Sequence, residues 1–165
     1  IAQQDFEHAL KGEGKTAGLL KIADEYSSTD AGNIACYQAG ICYYHQGKHA
    51  EAIKYLEKYS TCGDETVSAQ ALFTLGNCYA TTGKLDKAVD AFKDAAKATE
   101  VPALCAEYLF QAAQILESQK KNDEALALYQ EIKENYPDAP LCSRQQQGNV
   151  VLDAIIDKYI QRLSK

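Results

Sequence analysis

Six cysteines, three histidines and a few acidic pairs are the side chains of this 165-residue sequence best equipped for chemistry. The cysteines stand at 36, 42, 62, 78, 105 and 142, and no two of them form a CxxC. His8, His45 and His49 do not complete a zinc-finger spacing with any cysteine. His45 and His49 are four apart, which on a continuous helix puts both imidazoles on one face and within reach of a single metal ion. Gly47 lies between them and breaks such a helix, so both are expected to be solvated turn residues. Asp90 and Asp94 make a second i, i+4 pair, on what reads as the polar face of a helix, where hydrated charge is the ordinary state. Nucleophile-elbow, phosphate-loop and dinucleotide glycine patterns are absent. Nothing here organises a reactive group, so no catalysis, metal or cofactor is expected.

The elements that position these residues follow from composition. Ala occurs 25 times against 13 Val and Thr together, a balance that favours helix over sheet. A net charge of −6 without a dense Lys/Arg block gives no electrostatic footprint for nucleic acid or an anionic membrane surface. No apolar run approaches the ~18 residues that cross a bilayer. With 46% hydrophobic residues the chain can bury a core, so disorder is not expected. Ile1 stands where an initiator Met would, so the chain is expected to be a processed or trimmed product, with any leader or membrane anchor upstream out of view.

The chain repeats itself. Gly40-Ile41-Cys42-Tyr43 aligns with Gly76-Asn77-Cys78-Tyr79 at an offset of 36, and the match runs on through Gly47-Lys48 with Gly83-Lys84, Ala52 with Ala88 and Leu56 with Phe92. A third copy follows 37 residues later, with Ala113 and Leu116 at the Gly and Tyr sites, then Ala125 and Tyr129, and Pro137 at its close. A weaker copy precedes them, in which Gly14-Lys15, Ala17 and Tyr26 align with Gly47-Lys48, Ala50 and Tyr59. Each copy reads as two helices. Leu72, Leu75, Gly76 and Tyr79 share one helical face, Gly83 suits a left-handed C-terminus, and Ala88, Phe92 and Ala95 restart the period on a second helix. Lys120-Lys121-Asn122-Asp123-Glu124 is the corresponding turn of the last copy. Gly and Ala mark the places where two helix backbones approach closely.

The set Leu72-x2-Leu75-Gly76-x2-Tyr79 followed by Ala88-x3-Phe92 resembles the tetratricopeptide-repeat (TPR) family. The resemblance covers roughly residues 1–139: a degenerate repeat over 1–32, then repeats over 33–68, 69–105 and 106–139. Over 140–165, a Gly148-Asn149 break precedes Val151, Leu152, Ile155, Ile156, Tyr159 and Leu163. That stretch is similar to the capping helix that shields the open end of such an array. The implied fold is all-α, a right-handed α-solenoid of helix-turn-helix repeats forming a single domain. A narrower likeness rests on Asp24-Glu25-Tyr26 followed by Ala31-Gly32, which resembles the bacterial YfgM-like branch. That branch is tethered by an N-terminal helix at the periplasmic face of the inner membrane, beside the translocation channel; the alternative setting is cytoplasmic.

The resemblance implies a non-catalytic scaffold for a protein or peptide partner, without nucleic acid or small-molecule substrate. Its concave groove would be lined by positions 2, 5, 9 and 12 of each first helix. Here these are Ile34, Tyr37, Ile41 and Tyr44, then Gln70, Phe73, Asn77 and Ala80, then Glu107, Phe110, Gln114 and Glu117. The apolar and amide members (Ile34, Tyr37, Ile41, Tyr44, Phe73, Asn77, Phe110 and Gln114) are the expected partner-binding residues. The other use of the same positions is packing against a neighbouring repeat, or beneath the N-terminal helix or Val151–Leu163. The clamp that holds acidic chaperone tails would fall on Tyr37, Ile41, Thr74, Glu107 and Gln111, and is not present. A structural subunit of a homo-oligomer, its groove filled by another copy, is the alternative function.

Cys42 and Cys78 occupy one site in successive repeats, where the family usually has Ala. That favours small buried thiols, with Cys36, Cys42 and Cys78 reduced and buried, and Cys62 and Cys142 more exposed. A disulfide framework is the other reading that six cysteines allow, although Cys36 and Cys42, on different faces of one helix, do not suit a mutual bridge.

Overall fold

A computed structural model describes residues 2–14, 16–61, 64–143, 145–147, 150–152 and 154–164, and the chain divides at Lys84/Leu85 into two compact units. The first unit holds α1 (Ala2–Lys11), β1 (Gly12–Glu13), β2 (Thr16–Ala17), α2 (Leu19–Glu25), α3 (Asp30–His45), α4 (His49–Leu56) and α5 (Glu65–Thr81). The second holds α6 (Leu85–Lys97), α7 (Pro102–Ser118), α8 (Asn122–Asn135), β3 (Gln145–Gln147), β4 (Val150–Leu152) and α9 (Ile155–Leu163). This is the all-α helical-repeat fold expected from the sequence.

Local chemistry sets the helix ends. Thr29 caps α3 by accepting the Gly32 N–H at 3.1 Å, Asp64 caps α5 by accepting from Val67, and Pro102 opens α7, where its missing N–H costs nothing. The three long first helices end alike. Lys48, Lys84 and Lys121 donate their N–H to the carbonyls of Tyr43, Tyr79 and Leu116, each at 2.9 Å. The residue before each lysine is left-handed, with φ +73° at Gly47, +77° at Gly83 and +63° at Lys120. The repeat thus keeps its turn even where the glycine is lost.

Small residues set the packing. A Cβ built on Gly40 would lie 2.5 Å from Leu56 Cγ and 3.4 Å from the Ala52 carbonyl oxygen, so the α3–α4 approach has no room for one. Ala35, Ala39, Ala52 and Leu56 are buried beside it. The second unit closes around Phe92, Leu116, Tyr129, Ile132 and Ile156, with Ala113 fully buried at the site equivalent to Gly40.

Three departures from the sequence reading are clear. The Gly14 turn of the weak first copy lies within an antiparallel β1–β2 ladder that pairs Gly12 with Ala17 and Glu13 with Thr16, and Gly12 is left-handed there. The capping helix starts at Ile155; Val151 and Leu152, expected on it, lie in β4, paired with Gln146 and Gln145 of β3. The expected Gly148-Asn149 break falls outside the described residues. Of the thiols, Cys36 and Cys78 are buried and free, but Cys42 is half-buried, because it opens onto a cleft rather than the core. Cys105 is buried, Cys142 is free and half-buried, and Cys62 lies outside the described residues.

Candidate functional site

In the first unit, the face of α3 that carries Tyr37 and Ile41 is open. Successive turns place Tyr37, Gln38, Ile41 and Cys42 along one side of the helix, because i, i+4 neighbours share a face. Opposite them stand Ala9 of α1 and Leu19 of α2, brought over by the β1–β2 turn. Together they enclose a largely apolar cleft of about 300 Å³. Tyr37 leans on Tyr59, ring centroids 5.7 Å apart and tilted by 48°, which holds the ring against the wall of the cleft. Burial pushes the Tyr37 phenol and the Cys42 thiol above their ordinary pKa values, so both stay protonated and neutral at pH 7. A thiol held in that state is a poor nucleophile. The cleft therefore offers shape and apolar contact, with Gln38 as a polar group on its rim.

The C-terminal end of α3 is aromatic and polar. Tyr44 meets His45 and His49 edge-on, with centroids 5.5 and 5.8 Å away, and His45 stacks on Phe6 of α1 at 5.6 Å. The histidines thus make ring contacts at the turn, and no cluster of three potential metal ligands occurs among the described residues. Buried atoms of Gln46 and His49 find no hydrogen-bond partner: both amide atoms of Gln46, and Nδ1 of His49. The equivalent residue of the second unit explains what is missing. Gln119 donates from its amide to Asp86 at 3.0 Å, whereas the first copy has Ala17, in β2, at the position matching Asp86.

The remaining expected groove residues divide by location. Ile34 is exposed on α3, and Phe73 and Asn77 are half-buried on α5; none of the three lines the cleft. Phe110 and Gln114 of α7 lie beneath α9. The Tyr159 ring stands edge-on to Phe110 at 4.9 Å, and the Gln114 amide donates to the Tyr159 hydroxyl at 3.2 Å. Glu117 receives Arg162 at 2.7 Å and the Tyr129 hydroxyl at 3.2 Å. Positions equivalent in the repeat thus have different surroundings: Tyr37 and Ile41 border open space, while Phe110 and Gln114 are engaged within the chain. Ala9 and Leu19, which complete the cleft, were not among the residues that sequence reasoning selected. The one hint to them is that they flank the Gly12-Glu13-Gly14 turn.

A second hollow of about 270 Å³ lies in the second unit, between Lys93 and Lys97 of α6, Leu109 of α7, and Leu128, Glu131 and Tyr136 of the α8 region. Its charged rim contrasts with the neutral α3 cleft. Asp94, one of the acidic pair noted in the sequence, is exposed and paired with Lys97 at 2.9 Å.

Comparison with known proteins bears on family and fold. Two tetratricopeptide-repeat family models match residues 30–100 and 83–140, together about two thirds of the chain. No curated protein matches it. Among solved structures, a crystal structure of MamA is similar, with a TM-score of 0.59 and 18% identity over 98% of this chain and 88% of that one. At that identity the likeness speaks for the fold.

Proposed function

Since the chain belongs to the tetratricopeptide-repeat family, whose members generally serve as non-catalytic protein-interaction modules, we propose that it is a scaffold that binds an apolar segment of a protein partner in the α1–α2–α3 cleft. The observation that carries this reading is the open, neutral cleft around Tyr37 and Ile41, at the positions with which such repeats line a groove. A volume of about 300 Å³ is at the lower limit of ligand pockets and suits one or two large apolar side chains. Anchors of that kind, docked along a helical face, are a recurrent mode of peptide recognition. Gln38 at the rim can bond a partner backbone.

The test is a selection from a random peptide library against the wild-type chain and the Tyr37→Ala/Ile41→Ala variant. Enrichment of peptides with paired aromatic or aliphatic anchors, lost in the variant at unchanged helix content, is the expected result. Peptides without apolar enrichment, or retained by the variant, overturn the proposal.

The resemblance carried by Asp24-Glu25-Tyr26 and Ala31-Gly32 supports a setting at the periplasmic face of a bacterial inner membrane, with an accessory role in translocation or envelope assembly. No helix among the described residues is long and apolar enough to cross a membrane. Fractionation of cells expressing the full gene product tests this setting, and recovery in the cytoplasm refutes it.

A further inference from the structure

We propose that α9 is a releasable latch as well as a cap: the face of α7 and α8 that bears Phe110, Gln114 and Glu117 is a docking surface for an amphipathic helix carrying an aromatic residue three positions before a base, and Tyr159 and Arg162 hold it shut in cis. The inference deepens the scaffold reading and rests on it.

The attachments of α9 differ along its length. At its start, Ile156 is fully buried, its N–H donates to the Leu141 carbonyl at 3.1 Å, and Asp157 pairs with Lys133 at 2.6 Å. That end is a hinge. Beyond it, Tyr159 and Arg162 make the specific contacts, beside the half-buried Ile160 and Leu163. Tyr159 packs its ring against Phe110 and Tyr129, with centroids at 4.9 and 5.0 Å, and accepts from Gln114. Arg162 lies 4.6 Å over the Tyr159 ring and donates to both carboxylate oxygens of Glu117. The cation neutralises Glu117 while the aromatic ring fills the space beside Phe110. A helix from another protein with the same two groups meets the same needs.

Length and tethering set the balance. Nine residues are too few for a stable isolated helix, so α9 keeps its form only while docked. Tethered to α8, it faces its site at an effective concentration on the order of millimolar. A free helix of similar affinity at micromolar concentration therefore does not enter until the latch is weakened. When it does enter, Phe110 and Gln114 are taken up by the partner.

The test uses the full chain and a fluorescent synthetic peptide of residues 154–164 as the probe. Tyr159→Ala/Arg162→Ala is expected to bind the peptide about 30-fold tighter than wild type, the change that follows from freeing one aromatic-anchor site. Adding Phe110→Ala is expected to abolish the gain. Arg162→Glu, at an exposed side chain, is expected to give a smaller gain of about 5-fold and carries the test if the double variant loses helix content. Equal binding by wild type and these variants, or a gain that survives Phe110→Ala, overturns the latch. Neither result depends on Tyr37 or Ile41, so failure here is distinct from failure of the cleft.

Discussion

Adding one methyl group at Gly40 tests the repeat packing with the numbers the structure supplies. In Gly40→Ala the new Cβ would sit 2.5 Å from Leu56 Cγ and 2.7 Å from its Cδ2, a full ångström inside ordinary contact. Leu56 is 3% exposed, so its side chain has little room to withdraw. Overpacking of this kind costs about 1–3 kcal/mol. The exchange also returns about 1 kcal/mol of helix propensity, which offsets part of that cost. A net loss of about 0–2 kcal/mol is expected, read by circular dichroism in urea. Leu56→Ala alone should cost about 2–5 kcal/mol through the cavity it opens. In the double variant the added methyl occupies part of that cavity, so the two losses should fall short of additivity by at least about 0.5 kcal/mol. A Gly40→Ala protein more stable than wild type, or strict additivity with Leu56→Ala, would show that α3 and α4 do not meet as described.

Three further outcomes are expected. Lys120→Gly should stabilise by about 0.5–1 kcal/mol, and Gly47→Ala and Gly83→Ala should each destabilise by about 1 kcal/mol, since all three hold φ near +70°; urea melts of the three variants check it. In thiol labelling at pH 8, Cys42 should react before Cys36 and Cys78, because it borders the cleft while burial pushes the Cys78 thiol up to about 11; mass spectrometry of a labelling time course gives the order. Lys58, bonded to Asp24 at 2.8 Å, holds that carboxyl below its ordinary value. A lowered folded-state pKa means the contribution is complete above the unfolded value near 4 and is lost as the pH falls below it. At this half-exposed pair it amounts to no more than about 0.5 kcal/mol. Asp24→Asn should therefore cost no more than about 0.5 kcal/mol at pH 7 and nothing well below pH 4, which flattens the acid limb of the stability curve slightly; urea melts across that pH range check it.

The parts of this fold that could be read from the sequence are those fixed by neighbours within a few residues. Gly83 before Lys84 and Ala88 four before Phe92 both act locally, and each sits where the repeat places it. The β1–β2 turn was not legible, since two-residue strands carry no periodicity and depend on the conformation of Gly12. Val150–Leu152 is a short apolar run whose pattern fits helix and strand equally, and pairing with Gln145–Gln147 decides the matter. The candidate site was half legible. Tyr37 and Ile41 follow from repeat position, but Ala9 and Leu19 come from the copy whose motif is weakest. The same position gave Phe110, and no feature within its own repeat says that Tyr159, 49 residues on, will cover it.

The most direct test of the cleft is photo-crosslinking from inside it. A benzophenone placed at Gln38, an exposed residue on the cleft rim, is compared with one at Lys84, which is exposed and away from the cleft. With a library-selected peptide bound, crosslinks should form from position 38 through the peptide's apolar anchor and not from position 84. Crosslinks from 84 and none from 38 would place recognition elsewhere on the chain.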